Sequence, residues 1–257
     1  MNEKKAYILI LTTEDYLSGL KVTYMSLRVH SGEEVVVLVS PNISEQVETE
    51  LSNMGLKVVR TNYIELPEGI LSEKMKKDRW CHTLFKLRVF GMTEYTSLIY
   101  LDSDLLICDR LDELFEKDGL SAVSDADFFP EYSRGGINAG VFVFRPSNEL
   151  EQNLIAMIPR VAREMDIFGD QDVINAYFST WEVEKEKQLD VKYNACFYQL
   201  DKYDNVEPSV VHFILGSKPW MWNKWEVVLK YIKWLLQGKK RQCKYLRKYL
   251  KIHKSLE

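Results

Sequence analysis

The chain reads as an α/β protein with a mostly parallel central sheet flanked by helices, and three observations predict it. Its early strands are apolar on both faces, as in Val35–Val39, which is what a parallel strand covered by helices requires. Segments of helical periodicity separate those strands, with Tyr16–His30 lying between the first two. Polar residues gather where strands end, Thr12-Thr13 after the first and Asp102-Ser103-Asp104 after a later one. Open α/β sheets bind ligands at the carboxyl ends of their strands, so a nucleotide-binding architecture is the expectation.

Taken in order, Tyr7–Leu11 is a compact apolar strand, and Tyr16–His30 carries Leu20, Tyr24 and Leu27 at helical spacing. Val35–Val39 is the second strand. Pro41–Ser44 then opens a helix with Val47, Leu51 and Met54 inward, and Lys57–Arg60 is a shorter third strand. Trp80–Phe90 reads as a helix that offers Leu84, Leu87 and Phe90 to the core with Lys86 among them. Leu98–Leu101 and Ala122–Ser124 read as strands. Gly135–Gly140 leads into Val141–Phe144, a strand closed by Arg145-Pro146; its glycines either admit a ligand close to the backbone or form a flexible turn. Helices follow at Leu150–Met165 and Val173–Phe178. No repeat or linker interrupts the chain, which predicts one domain over residues 1–225 and a helical basic aromatic segment over 226–257.

The 257 residues, 46% hydrophobic and 28% charged, suffice for a large folded core and exclude a disordered chain. No stretch approaches the ~20 apolar residues of a membrane span. The first residues read as a strand and its polar loop rather than a signal peptide. Cys81, Cys108, Cys196 and Cys243 form no CxxC pair and read as reduced thiols of a cytoplasmic protein. Charge is divided unevenly: residues 221–257 hold eleven Lys and Arg against Glu226 and Glu257, a net +9, so the rest of the chain carries −13 of the total −4. An acidic body without a recognition module excludes nucleic acid. The basic tail, interleaved with Trp222, Trp225, Trp234, Tyr245 and Tyr249, suits peripheral contact with an anionic membrane; the alternative is a helix packed on the body with a solvated basic face.

Two carboxylates, Asp102 and Asp104, lie in the apolar run Leu98–Ile107. Like charges there need a partner, and residues i and i+2 of an extended chain share a face about 7 Å apart, so both can converge on one divalent cation. The alternative is a polar turn between two strands.

In order along the chain stand Leu11-Thr12-Thr13, Lys86-Leu87-Arg88, Tyr100–Asp104, Asn138-Ala139-Gly140, Gly169-Asp170-Gln171-Asp172, Tyr193-Asn194 and His212–Trp220. With these seven motifs the chain resembles glycosyltransferase family 8, the group of glycogenin, galactinol synthase and bacterial lipopolysaccharide glycosyltransferases. The resemblance implies a GT-A fold, Rossmann-like, and a retaining, Mn²⁺-dependent transfer of glucose or galactose from a UDP-sugar to a saccharide, glycolipid or protein hydroxyl. It implies Asp102, Asp104 and His212 as metal ligands, a mixed oxygen and nitrogen set that suits Mn²⁺, with Mg²⁺ as the alternative ion. The bland reading of His212 is a buried imidazole bonded to backbone.

Gly216 and Lys218 are placed to grip the departing diphosphate. Lys86 by resemblance contacts the donor sugar and a phosphate, and is otherwise a snorkelling surface lysine. Leu11, Thr12, Thr13 and Tyr16 stand where the family holds uracil and ribose, with Glu14 in place of the commoner asparagine, and Ser103 is small enough for ribose to approach. Asn138, Ala139, Asn194 and Asp170 fall to the hexose. The Gln171 carbonyl faces the anomeric carbon, while Asp170 is equally a helix cap. A self-glucosylating primer, using one of fourteen tyrosines, and a catalytically silent binding or tethering protein are the alternative functions. The tail would place the protein on the inner face of a membrane, and a homo-oligomer is compatible with the pattern.

Overall fold

The computed structural model describes residues 3–77, 80–127, 135–203, 205–214 and 216–256. Its strands are β1 (Lys5–Leu11), β2 (Glu34–Val39), β3 (Lys57–Arg60), β4 (Ser97–Leu101), β5 (Leu105–Ile107), β6 (Ser121–Ser124), β7 (Ile137–Phe144), β8 (Gln188–Leu189), β9 (Ala195–Cys196) and β10 (Val210–His212). The α-helices are α1 (Leu17–Arg28), α2 (Glu45–Asn53), α3 (Glu73–Lys77), α4 (Asn148–Glu164), α5 (Asp170–Tyr177), α6 (Lys224–Leu236) and α7 (Lys240–Lys254). They form two compact units, the first from Met1–Glu14, Glu33–Leu101 and Glu113–Leu189, the second from Asp15–Gly32, Asp102–Asp112 and Asp190–Glu257.

The first unit holds a seven-stranded sheet in the order β3-β2-β1-β4-β7-β6-β8. Strands β1, β2, β3 and β4 pair in parallel. β7 runs antiparallel to both β4 and β6, so the sheet is mostly rather than wholly parallel. Because β1, β2 and β4 are covered on both faces, their side chains are buried almost without a break. Phe90, Tyr100, Phe142 and Phe144 stack within the core. Ser44 and Ser147 cap α2 and α4, each accepting a hydrogen bond from a main-chain N–H of the first turn.

Two local expectations change. Trp80–Gly91 is a 3₁₀ helix rather than an α-helix. With three residues per turn, Leu84, Leu87 and Phe90 eclipse one another, and all three are buried. The glycine stretch is also shorter as a loop than the sequence suggested, since β7 begins at Ile137 and takes Asn138, Ala139 and Gly140 into the sheet. Asn175 of α5 explains this: its amide accepts from the Ile137 N–H at 2.7 Å and donates to the Ile137 carbonyl at 3.0 Å, extending the strand's hydrogen bonding beyond the last residue that β4 pairs.

The second unit has a three-stranded sheet in the order β5-β10-β9, antiparallel then parallel, with α1, α6 and α7. Gly238, at φ +72°, ends α6, and the Lys239 N–H returns to the Trp234 carbonyl at 2.8 Å. The basic segment is therefore two helices. α7 buries Cys243, Tyr245, Leu246 and Tyr249, while Arg241 donates to the carbonyls of Leu200, Tyr203 and Val206. α6 instead exposes Trp225, Leu229 and Leu236. Among the described residues no helix is long and apolar enough to cross a membrane. Cys108, Cys196 and Cys243 are free thiols, and the Cys81 side chain and Leu215 lie outside the described residues.

Candidate active site

In the second unit the chain leaves Leu101 as Asp102-Ser103-Asp104 and enters β5. The antiparallel register pairs Leu105 with His212, which sets the histidine at the end of β10 beside the acidic turn. Asp102, Asp104 and His212 each offer a ligand atom within 4.8 Å of the others. His212 Nε2 is 3.1 Å from Asp104 Oδ1 and 3.8 Å from Asp102 Oδ2. Adjacent ligands of an octahedral ion bonded at 2.0–2.1 Å stand roughly 3 Å apart, the spacing that His212 and Asp104 show, while Asp102 stands wider; two carboxylates and an imidazole are donors that suit a hard or borderline divalent cation. On the far side of the ring, Nδ1 donates to Asn194 Oδ1 at 2.9 Å. That bond fixes the orientation of the ring and turns Nε2 toward the carboxylates, the arrangement found behind metal-ligating histidines. Asn194, expected among sugar-binding groups, is fully buried against the histidine.

Lys218 Nζ lies 2.6 Å from Asp104 Oδ2 and 2.8 Å from the Phe213 carbonyl. Burial alone would raise the Asp104 pKa, but His212 and Lys218 hold its carboxyl well below the usual range. Burial likewise opposes the charge on Lys218, and Asp104 reverses this and raises its pKa. Gly216 adopts φ +63°, which a side chain would strain.

Sequence reasoning missed the side chains that hold the acidic turn. Thr23 Oγ1 of α1 both donates to the Leu105 carbonyl and accepts from the Leu105 N–H at 3.1 Å, and Ser26 Oγ accepts from Ile107 N–H at 3.0 Å. A Cβ on Gly19 would stand 2.5 Å from both the Ser103 carbonyl and the Trp220 ring, so only glycine lets α1 approach. Tyr16 packs edge-on to Trp220, which donates to the Asp15 carbonyl. The missing signal was helical: Gly19, Thr23 and Ser26 fall on one face of α1, an i, i+4, i+7 pattern of small residues that hydrophobic periodicity does not score.

The first unit gathers a second set. β7 continues past the last β4 pair, Leu101 with Val141, so the main chain at Ala139 lacks that neighbour. Lys86 donates to the Ala139 carbonyl at 2.9 Å, and Gln171 Oε1 accepts from the Ala139 N–H at 3.1 Å. Lys86 also pairs with Asp170 at 2.7 Å and stands 4.8 Å over the Tyr100 ring. Both partners of that ion pair are buried, so Lys86 is no snorkelling surface residue. Asn138 reaches Asp125 Oδ1 at 3.4 Å and accepts from the Gly140 N–H. Asp172 accepts from the Gly169 N–H, and burial, with Asp170 and Asp125 nearby, raises its pKa. Leu11 is buried at the end of β1, and Thr12 and Thr13 are half-buried after it. Glu14 accepts two hydrogen bonds from Ser44, which lower its pKa, and so serves the start of α2.

The sequence pattern of glycosyl transferase family 8 matches residues 7–226. The chain belongs to this family. Among family relatives, mouse glycogenin-1 is 30% identical over 226 residues, which are 84% of this chain and 65% of that protein. Galactinol synthase 2 of Arabidopsis thaliana is 28% identical over 85% of this chain and 74% of its own length. The chain spans under two thirds of the length of the glycogenins it matches. Among solved structures, the galactosyltransferase LgtC, determined with donor and acceptor sugar analogues, aligns over 97% of this chain and 95% of its own with a TM-score of 0.65 at 16% identity. The glycosyltransferase GlyE of Streptococcus pneumoniae aligns over 87% of this chain and 57% of its own, with a TM-score of 0.62 at 22% identity. At those identities the likeness establishes the fold, which is the expected GT-A type of this family.

Proposed function

We propose that this family 8 chain is a retaining hexosyltransferase that moves glucose or galactose from a UDP-sugar to a hydroxyl acceptor with Mn²⁺ as its ion. The observation that carries the reading is the meeting of half-buried Asp102 with buried Asp104 and His212 beside Lys218. Asp102, Asp104 and His212 would hold the cation, whose charge would stabilise the diphosphate as a leaving group. Lys218 and the Gly216 main chain grip the diphosphate. Leu11, Thr12, Thr13 and Tyr16 serve the uridine, with Ser103 beside the ribose. Lys86, Asp170, Asn138, Ala139 and Gln171 serve the hexose, and Asn194 acts on the site through His212. In the transfer the anomeric C–O bond breaks, its electron pair leaves with UDP, the acceptor oxygen bonds the anomeric carbon, and the acceptor proton passes to the released diphosphate. Residues 1–225 carry this chemistry.

A screen of UDP-sugars with Mn²⁺, followed by mass spectrometry of the protein for attached hexose, tests the donor and self-modification together. We expect turnover that requires divalent metal and falls at least 10²-fold in Asp104→Ala, the scale on which a lost electrostatic contact to a leaving group is felt. Undiminished turnover in a chelator would sink the reading.

A second function rests on α6. Trp225, Val228, Leu229, Ile232, Leu235 and Leu236 recur at helical spacing on one face and are all exposed, in the segment whose net charge is +9. An anionic bilayer on the cytoplasmic side fits both properties, since each basic residue near such a surface contributes about 1 kcal/mol. The double variant Trp225→Glu, Leu229→Glu should stop sedimenting with vesicles rich in phosphatidylserine; equal sedimentation by variant and parent would refute the contact.

A further inference from the structure

α6 and α7 form a groove of about 410 Å³ that the cation centre does not use. α7 buries Tyr245, Leu246 and Tyr249 on one side, so its other side meets solvent. Along that outer side Lys240, Lys244, Arg247, Lys248 and Lys251 follow at i, i+4, i+7, i+8 and i+11, and all five are exposed and line the groove. Among the described residues its lining includes no carboxylate. Like charges at these spacings repel one another, so the stripe opposes the helix that carries it until an anion sits among them. Lys244 pairs with Glu207, and Arg247 donates to the Tyr231 hydroxyl of α6 with its guanidinium 5.6 Å over that ring. The fork of Arg247 is thus anchored to the facing helix. On the α6 side Leu235 lines the groove and also belongs to the exposed apolar face of Val228, Ile232 and Leu236.

We infer that this groove is a binding site for a lipid whose headgroup is a phosphate monoester, the phosphate lying among the five cations of α7 and the hydrocarbon beside Leu235. The inference rests on the membrane contact proposed above and adds to it a choice of headgroup. A terminal phosphate monoester carries about −1.5 to −2 charges at neutral pH and three acceptor oxygens, so it answers a cluster of cations better than a singly charged headgroup does. The planar guanidinium of Arg247 can give a phosphate two parallel hydrogen bonds, which a lysine cannot. An apolar wall that continues into an exposed apolar face suits a ligand with a hydrocarbon part, and this selects a lipid over a free phosphate. Basic pockets beside a membrane surface bind headgroups of this chemistry.

The test is cosedimentation of the full chain with phosphatidylcholine vesicles that hold equal amounts of either phosphatidic acid or phosphatidylserine. The parent should bind the phosphatidic acid vesicles at least about tenfold more tightly, on the strength of charge-assisted hydrogen bonds. Arg247→Lys keeps the charge and loses the fork, and should bring that preference to within about threefold while binding to phosphatidylserine stays at the parent's level. Lys248→Gln should weaken binding to phosphatidic acid more than Lys254→Gln does, since the second removes the same charge from outside the groove lining. Equal binding of the parent to the two lipids overturns the inference and leaves the membrane contact standing. An Arg247→Lys variant with the full preference, or equal losses in Lys248→Gln and Lys254→Gln, overturns it too, because the face is then only a solvated basic surface. Glycerol 3-phosphate binding in calorimetry as tightly as the vesicles do would give the groove to a free phosphate ester and overturn the lipid. Absence of the parent from both vesicle pellets overturns the membrane reading itself.

Discussion

His212 can serve as a ligand only while its other nitrogen is held, and Asn194 Oδ1 holds it at 2.9 Å. Replacing Asn194 by Ala strands a buried N–H, a cost of about 1–3 kcal/mol, and frees the ring to rotate or change tautomer. We expect the Mn²⁺ Kd to rise 10–100-fold, read from the loss of the free-ion paramagnetic resonance signal as protein is added, while an unchanged Kd would show that the asparagine merely fills space. None of this was legible in the sequence, because an amide beside a tyrosine carries no sign of which distant side chain it will face. Asp102 and Asp104 were legible for the opposite reason: charges in an apolar run announce a conflict that only a partner resolves. Gly136 is a related case. The sequence offered a loop glycine for ligand approach, whereas a Cβ there would meet Asn175 Oδ1 at 2.3 Å. Gly136→Ala should therefore destabilise the fold by about 1–3 kcal/mol through displacement of Asn175, visible as a lower urea midpoint with unchanged slope.

At the level of elements, the strands were readable because burial on both faces leaves an uninterrupted apolar run, and β1, β2 and β4 show it. The helix bearing Lys86 was readable as helical but not as 3₁₀, since Leu84, Leu87 and Phe90 fit a buried stripe at either pitch. α1 was readable only on its apolar side. Its polar face does separate work, with Thr23 supplying both hydrogen bonds to the Leu105 main chain and so fixing where β5 begins. Thr23→Val preserves the shape and leaves that N–H and carbonyl unsatisfied in a buried place, at a cost of about 1–3 kcal/mol. Because the strand start sets the position of Asp104, metal affinity should fall along with stability. Thr23→Ser, which keeps the hydroxyl, should restore both, and a Ser variant as weak as Val would locate the effect in the methyl group instead.

Across the molecule, ionisable groups whose protons are held by folding collect in the second unit, and their response to alkali follows from sign. Burial raises the pKa of Tyr249, with Asp104 adding to it, and raises that of Tyr245, with Glu207 adding to it. Burial pushes the Cys108 thiol up to about 11. Against burial, Asp104 raises the pKa of Lys218. In each case the folded chain binds its proton more tightly than the unfolded chain, so the contribution is complete below the unfolded pKa and is lost as pH rises through the folded one. Thiol losses begin near pH 9 and phenol losses near pH 10, at up to about 1.4 kcal/mol per pH unit for each fully buried group. The first unit holds fewer such groups in the alkaline range: Tyr95, where burial and Glu34 raise the phenol, and Lys5, whose pKa Glu116 raises. Alkaline unfolding should therefore start in the second unit. Hydrogen exchange at pH 10.5 is expected to show α7 and β10 losing protection before β1, β2 and β4. Tyr249→Phe should flatten the fall of the urea midpoint between pH 10 and 11, because a ring without an ionisable oxygen has no proton to lose. Earlier opening of the seven-stranded sheet would contradict this, and would put the weak point of the fold in the unit that carries Lys86 and Asp170 rather than in the one that carries the cation ligands.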